Sequence, residues 1–214
     1  MTNFPGSPAL LKGGIVLLDP DSGQPVQTIV LQYNPDTLTR TLQVQGIGPE
    51  PGDRLEAMRL KAPPLETIKL DAEIDATDQM EKGDAATGQL GIYPQLATLE
   101  TMIYPTSTQL MNNDSQAQFG TIEIAPAEAP LALFIWSRVR VLPVRITDFS
   151  ITEEAFDPNL NPIRAKVSLG MRVLTVNDLG FSHKGGTLFM AYLQQKEQMV
   201  KSGAVSALGL KGIP

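Results

Sequence analysis

Cysteine is absent from this chain, and histidine, tryptophan and charge are scarce. Without cysteine there is no disulfide framework and no thiolate metal site. The single histidine, His183, cannot build a histidine-rich metal centre, and a Ser-His-Asp triad would need partners from far along the chain. Charged residues fill 19% of the 214 positions against 42% hydrophobic ones, lean for a free monomer whose surface must repel its neighbours. That balance favours a subunit of an assembly. The formal net charge of -6 argues against nucleic acid as a partner. No apolar run approaches a membrane span, so no direct membrane insertion is expected. The opening residues Met1-Thr-Asn-Phe-Pro-Gly6 lack the basic and apolar regions of a secretory signal, so the expectation is cytoplasmic synthesis without a signal peptide.

What is present is alternation. From Ile163 to Val173 the odd positions are apolar, and the even ones (Arg164, Lys166, Ser168, Gly170, Arg172) are polar or small. Successive strand side chains point to opposite faces, so one face is buried and the other is wet and cationic. Val139 to Thr152 is also strand-like, but its phase slips twice: Val139 and Val141, then Val144 and Ile146, then Phe149 and Ile151. Pro143 stands at the first slip, where a residue without an N–H fits a bulge or an edge. Asp157-Pro158 and Asn161-Pro162 keep the intervening segment extended. Arg138 to Leu174 is therefore a long β-hairpin with an ordered loop.

Taken in order, residues 1–13 read as a lead-in. Strands are expected at Ile15 to Asp19, Val26 to Tyr33 and Leu38 to Val44, as a three-stranded meander with a turn at Pro20-Asp-Ser-Gly23. Gly46 to Pro64 reads as a loop with one helical turn at Leu55 to Leu60. Glu66 to Ala76 alternates closely, with Lys69, Asp71, Glu73 and Asp75 on one side. Asp78 to Gly91 reads as irregular. Ile92, Tyr93, Leu96, Leu99 and Ile103 fall at helical spacing, with Pro94 in the first turn. Thr106 to Phe119 reads as a polar loop, Thr121 to Ile124 and Leu131 to Trp136 as short strands, and Asn177 to Gly186 as a loop. A terminal helix spans about Thr187 to Ser202, with Leu188, Ala191, Tyr192, Gln195 and Met199 on its apolar face. The fold class is α+β, mainly β: a barrel or sandwich with a flanking helix and a C-terminal helix. Residues 14–176 form its domain, and 177–214 the terminal helix and tail.

Chemistry is thin. Asp71, Glu73 and Asp75 alternate along one strand roughly 7 Å apart, too far to share a cation without other ligands. Gly83-Asp-Ala-Ala-Thr-Gly88 lacks the Gly-Lys-Ser/Thr ending of a phosphate loop. Glu153, Glu154 and Asp157 are near one another in the hairpin loop, where a glycosidase-type pair, a set of amide caps or an ion pair to a neighbouring subunit are the alternatives. Trp136 reads as core or subunit contact. No cofactor, no metal and no enzymatic activity are expected.

Several stretches, in this order, resemble the tube-fold baseplate proteins of contractile injection systems, the phage-tail-like particles. They are Leu31-Gln-Tyr-Asn-Pro-Asp-Thr-Leu-Thr-Arg-Thr41, Gly91-Ile-Tyr-Pro-Gln-Leu-Ala-Thr-Leu-Glu100 and Leu142-Pro-Val-Arg-Ile-Thr147. The most specific is Ile151-Thr-Glu-Glu-Ala-Phe-Asp-Pro-Asn-Leu-Asn-Pro-Ile-Arg-Ala165, followed by Val167 to Leu174. The resemblance covers roughly Gly14 to Val176. It implies a tail-tube-like β-barrel protomer, six of which form a ring joining the inner tube to the spike. The implied partners are further copies of the chain, the inner-tube protein, the spike protein and other baseplate subunits. An ordinary inner-tube subunit and a carbohydrate-active β-sandwich using Glu153, Glu154 or Asp157 are the alternative readings. On the resemblance, Arg140, Arg145, Glu153, Glu154, Phe156, Asp157, Asn161, Arg164 and Arg172 are expected at contacts between subunits. Lys69, Asp71, Glu73 and Asp75 are expected to line the lumen or to touch a neighbouring ring. The cationic hairpin face and the acidic strand face are expected to meet between protomers or rings, or to line the lumen together.

Overall fold

A computed structural model of the chain describes residues 11–19, 22–46, 59–81, 85–118 and 129–200. Seven antiparallel strands form one open sheet in the order β2-β1-β5-β6-β7-β4-β3. They are β1 (Gly14–Leu18), β2 (Pro25–Val30), β3 (Leu38–Gly46), β4 (Leu60–Asp75), β5 (Leu131–Ser137), β6 (Arg140–Phe156) and β7 (Pro162–Val173). Six helices accompany them: α1 (Thr77–Glu81), α2 (Ala85–Leu90), α3 (Tyr93–Glu100), α4 (Ser107–Gln118), α5 (Val176–Leu179) and α6 (Lys184–Met199). The mainly-β α+β class holds, and the sheet of the single chain is open. Among the described residues no helix is long and apolar enough to cross a membrane.

The core follows from the alternation. Ala165, Val167, Leu169, Met171 and Val173 of β7 are at most 1% exposed, and Ile68, Leu70, Ala72 and Ile74 of β4 pair beside them. Full burial of one Val, Leu or Met side chain contributes about 1.5–3 kcal/mol. Leu96 and Leu99 of α3 and Phe189 and Tyr192 of α6 belong to the same cluster. Trp136 is half-buried and stacks on Phe134 with ring centroids 5.9 Å apart.

Several expectations are corrected. The first three strands are not a meander. β1 and β2 pair, but β3 pairs with β4 at the opposite edge of the sheet. Apolar alternation marks which face of a strand is buried and carries no information about which neighbour it meets. The segment after Gly46 is not a loop up to Pro64, because β4 begins at Leu60 and runs through both prolines. There the β3 register jumps from Gln43↔Leu65 to Gln45↔Ala62, so Pro63 and Pro64 occupy a bulge opposite one residue. β7 reaches only to Thr67, so among the described residues no second strand needs their missing N–H groups.

Pro143 is neither at a bulge nor on an edge. Leu142, Pro143 and Val144 are all buried, which means that both faces of β6 are covered there, and no phase change occurs. Pro143 still accepts a hydrogen bond from the Leu174 amide at 2.9 Å, on the rung where β7 ends. The second slip is real: the register of β6 on β7 shifts between Ile146 and Asp148, leaving Thr147 as the extra residue.

The polar segments expected as loops fold into α1, α2 and α4. Thr106 and Gln109 form a reciprocal cap at the start of α4. Gln109 N–H donates to the Thr106 hydroxyl at 3.2 Å, and Thr106 N–H donates to Gln109 Oε1 at 2.9 Å. The 177–186 segment contains α5, closed by a capping box between Thr175 and Asp178. Helix α3 ends at Glu100, earlier than its apolar spacing suggests, and leaves Tyr93 and Ile103 exposed. Helix α6 starts at Lys184 and buries Gly185, Gly186, Phe189 and Tyr192, a face rotated from the one expected; Ala191 and Met199 are exposed. The strand expected at Thr121 to Ile124, the helical turn from Leu55, the lead-in before Leu11 and the tail beyond Val200 lie outside the described residues.

Candidate functional site

The outer face of β3, β4, β7 and β6 is where the sequence-expected residues gather. Cross-strand register places them in rows: Asp75, Arg164 and Glu154; Glu73, Lys166 and Thr152; Asp71, Ser168 and Ser150; Lys69, Gly170 and Asp148; Thr67, Arg172 and Arg145. The acidic strand and the basic strand are thus neighbours within one chain. They do not need a second subunit to meet. Arg164 Nε donates to Asp75 Oδ2 at 2.9 Å, Lys166 Nζ lies 3.3 Å from Glu154 Oε1, and Arg172 reaches Asp178 Oδ1 at 2.6 Å. The face is a mixed-charge surface rather than a cationic one. Tyr33 and Asp36, on the link from β2 to β3, border a hollow of about 730 Å³ over Asp71, Glu73, Thr152 and Lys166.

Both flanks of this four-stranded unit are open. β3 pairs with β4 on one side, and no described strand covers its other side. β5 pairs with β6 only between Arg140 and Val144. From Arg145 to Phe156, β6 has β7 on one side and no described strand on the other. Leu42 and Val44 on β3 are exposed, Val44 by 69%. Apolar side chains on an unpaired edge strand are what soluble proteins ordinarily avoid.

The hairpin tip is built from polar side chains. Asp157 Oδ1 accepts from the amides of Asn159 (2.7 Å) and Asn161 (2.8 Å), and Oδ2 accepts from Asn161 Nδ2 at 2.8 Å. Asn161 Nδ2 also donates to the Gln89 carbonyl at 3.0 Å, and Ile92 N–H donates to the Pro162 carbonyl at 2.9 Å. These bonds dock the tip on the corner between α2 and α3. Leu160 adopts φ 65 in this turn and is 75% exposed, and Phe156 is 49% exposed.

The carboxylates of the tip do not form a facing pair. Glu153 and Glu154 are consecutive strand residues on opposite faces, and Asp157 is committed to the turn. Arg140 is half-buried at the start of β6, opposite Ser137. His183 caps α6, its Nδ1 accepting from Gly185 N–H at 3.0 Å. Among the described residues no group of three His, Cys, Asp or Glu is placed to hold a metal ion. Sequence reasoning missed the ion cluster behind the face. Glu66, 4% exposed, takes the Arg40 guanidinium at 2.6 Å and Lys196 at 3.7 Å, and Arg40 also donates to the Tyr192 hydroxyl at 3.1 Å. The signal was Arg40, a cation at an apolar-phase position of β3.

Hydrogen bonds from the Asn161 side chain, then from the Asn161 and Asn159 amides, hold the Asp157 carboxyl below the usual aspartate range. A carboxyl depressed by folding adds stability above its unfolded value and loses it as pH falls through the folded value. Acidification below the ordinary aspartate range should therefore loosen the tip. Amide resonances of Asn159 and Asn161 should move with that transition, and Asp157→Asn should flatten it. An unchanged profile in Asp157→Asn would remove the carboxylate from this role.

No protein-family model matches the chain, and no curated protein matches it either.

Proposed function

We propose that the protein is a non-enzymatic ring subunit of a contractile injection system, acting as the adaptor between inner tube and spike. The observation that carries this reading is the four-stranded unit β3-β4-β7-β6, polar on its outer face and, among the described residues, unpaired along the outer side of β3 and along β6 from Arg145 to Phe156. Such a unit satisfies its edges by head-to-tail addition of further copies, the heterologous arrangement that closes into a ring. In the proposed ring, β3 of one copy lies along Arg145 to Phe156 of the next. Six copies then enclose a lumen lined by the mixed-charge rows, and the open sheets of single chains become one closed barrel. The resemblance of residues 14–176 to tube-fold baseplate proteins supports the same assembly, with tube and spike proteins as axial partners. Its role is mechanical: a sheet continuous around the ring transmits the thrust of sheath contraction without an edge that can peel.

Electron microscopy of particles from the native host tests the reading. A six-fold ring of this chain at the tube–spike junction is the expected result. A soluble monomer, absent from every tube-like particle, would end it. Val44→Lys supplies the molecular arm, since lysine on an edge strand blocks strand addition. The variant should melt with the wild type and fail to enter particles. Normal incorporation would exclude β3 as the joining edge.

A further inference from the structure

We infer that Arg145 and Arg172 form a binding site for an oxyanion, a carboxylate or a phosphate group, at one end of the polar sheet face. This inference does not depend on the ring reading. The two arginines are directly opposite each other on β6 and β7, with Thr67 next in the row on β4. Directly opposed residues of an antiparallel pair hold their Cβ atoms about 4.5–5.5 Å apart, and like charges there repel. Sheets avoid such a pair unless something sits between the charges.

The counter-charge at hand is incomplete. Asp178 meets one Arg172 nitrogen at 2.6 Å, and its other oxygen is held by the amide and hydroxyl of Thr175. The Nε of Arg172 is buried and finds no acceptor among the described residues. Arg145 is exposed and forms no ion pair among the described residues. Lys69, one rung along on β4, likewise has no ion pair among them. The nearest other carboxylate on the face, Asp148, stands over Gly170 and accepts from the Thr147 hydroxyl at 3.1 Å. Register thus sets two arginines side by side, with Thr67 in their row and Lys69 one rung away, and among the described residues Asp178 is the one carboxylate paired with either arginine. Paired guanidinium donors match the planar oxygens of a carboxylate or phosphate, which accept two parallel hydrogen bonds.

Thermal melts of the full chain in chloride, phosphate and acetate buffers at matched ionic strength test the site. Phosphate or acetate should raise the wild-type melting temperature above that in chloride. The larger of the two increments identifies the source: acetate for a protein carboxylate, phosphate for a free or phosphorylated ligand. Arg145→Gln relieves the repulsion, so it should raise the chloride melting temperature by roughly 2 °C and abolish the anion increment. Arg145→Glu should do the same through a new ion pair to Arg172. Equal anion increments in the wild type and both variants would overturn the site as an adventitious ion only. So would melting of both variants below the wild type in chloride.

Discussion

Gly91→Ala is expected to lower the stability of the protein by about 3 kcal/mol, the sum of a backbone cost and a collision. Gly91 sits at φ 58, in the left-handed region where a side chain adds roughly 1–2 kcal/mol. A Cβ there would also collide with the Pro162 carbonyl oxygen and stand 3.2 Å from Asn161 Cβ. That carbonyl already receives the Ile92 amide, so it cannot retreat without breaking the bond that docks the hairpin tip. The melting temperature should fall by roughly 6–12 °C for a chain of this size. Hydrogen exchange at Asn161 and Ile92 should quicken before the rest of the sheet responds. Gly88→Ala is the control. It lies inside α2 with nothing within 4 Å of a new Cβ, and alanine there should stabilise by up to about 1 kcal/mol. If Gly91→Ala melts with the wild type, the tip is not anchored through that corner.

The second large effect is expected at Glu66. Truncation to alanine removes a buried carboxylate and strands Arg40 and Lys196 against the groove between β4 and α6. Breaking a buried pair by deleting one partner costs about 3–5 kcal/mol, and the lower end applies because Arg40 and Lys196 keep contact with water. Replacing the whole set with Arg40→Met, Glu66→Leu and Lys196→Met should recover most of that loss, since paired buried charges offer little advantage over apolar packing. The contrast between single and triple variants, read by denaturant unfolding, separates stability from register. If the triple variant unfolds as readily as Glu66→Ala, the loss comes from the missing ion cluster itself and not from stranded cations.

Much of this architecture was legible because β4 and β7 alternate strictly, and alternation reports burial directly. Phase alone puts Lys69, Asp71, Glu73, Arg164, Lys166 and Ser168 on an exposed face, and all six are exposed, whereas Asp75 and Arg172 are half-buried and Gly170 is buried. Their adjacency was not legible. Whether an acidic and a basic stripe meet within a chain or between chains depends on strand order, which periodicity does not encode. The same gap misplaced β3 beside β2. Helix α4 was missed for a different reason: its residues are polar all round, so no apolar stripe announced it, although the Thr106–Gln109 capping pair was there to read. The prolines at 63 and 64 read as breakers, yet an edge bulge with no second neighbour among the described residues tolerates them. At the candidate site, alternation alone puts Glu153 and Glu154 on opposite faces of β6. The division between Asp157 as a turn-former and Glu154 as an ion-pair partner needed coordinates.

One side-chain contact fixes how far the edge of this sheet can shift. Gln32 donates to the Asp75 carbonyl at 2.7 Å and accepts from the Asp75 amide at 3.0 Å. Its primary amide therefore plays the part of a peptide group on the last rung of β4. Leu38 opposes Leu70 a few residues later, so residues 33–37 link two fixed points on the same strand. A slip of β3 by one residue would turn Arg40 away from Glu66. The outermost strand is indexed by a glutamine, which sets the rungs that its free edge presents.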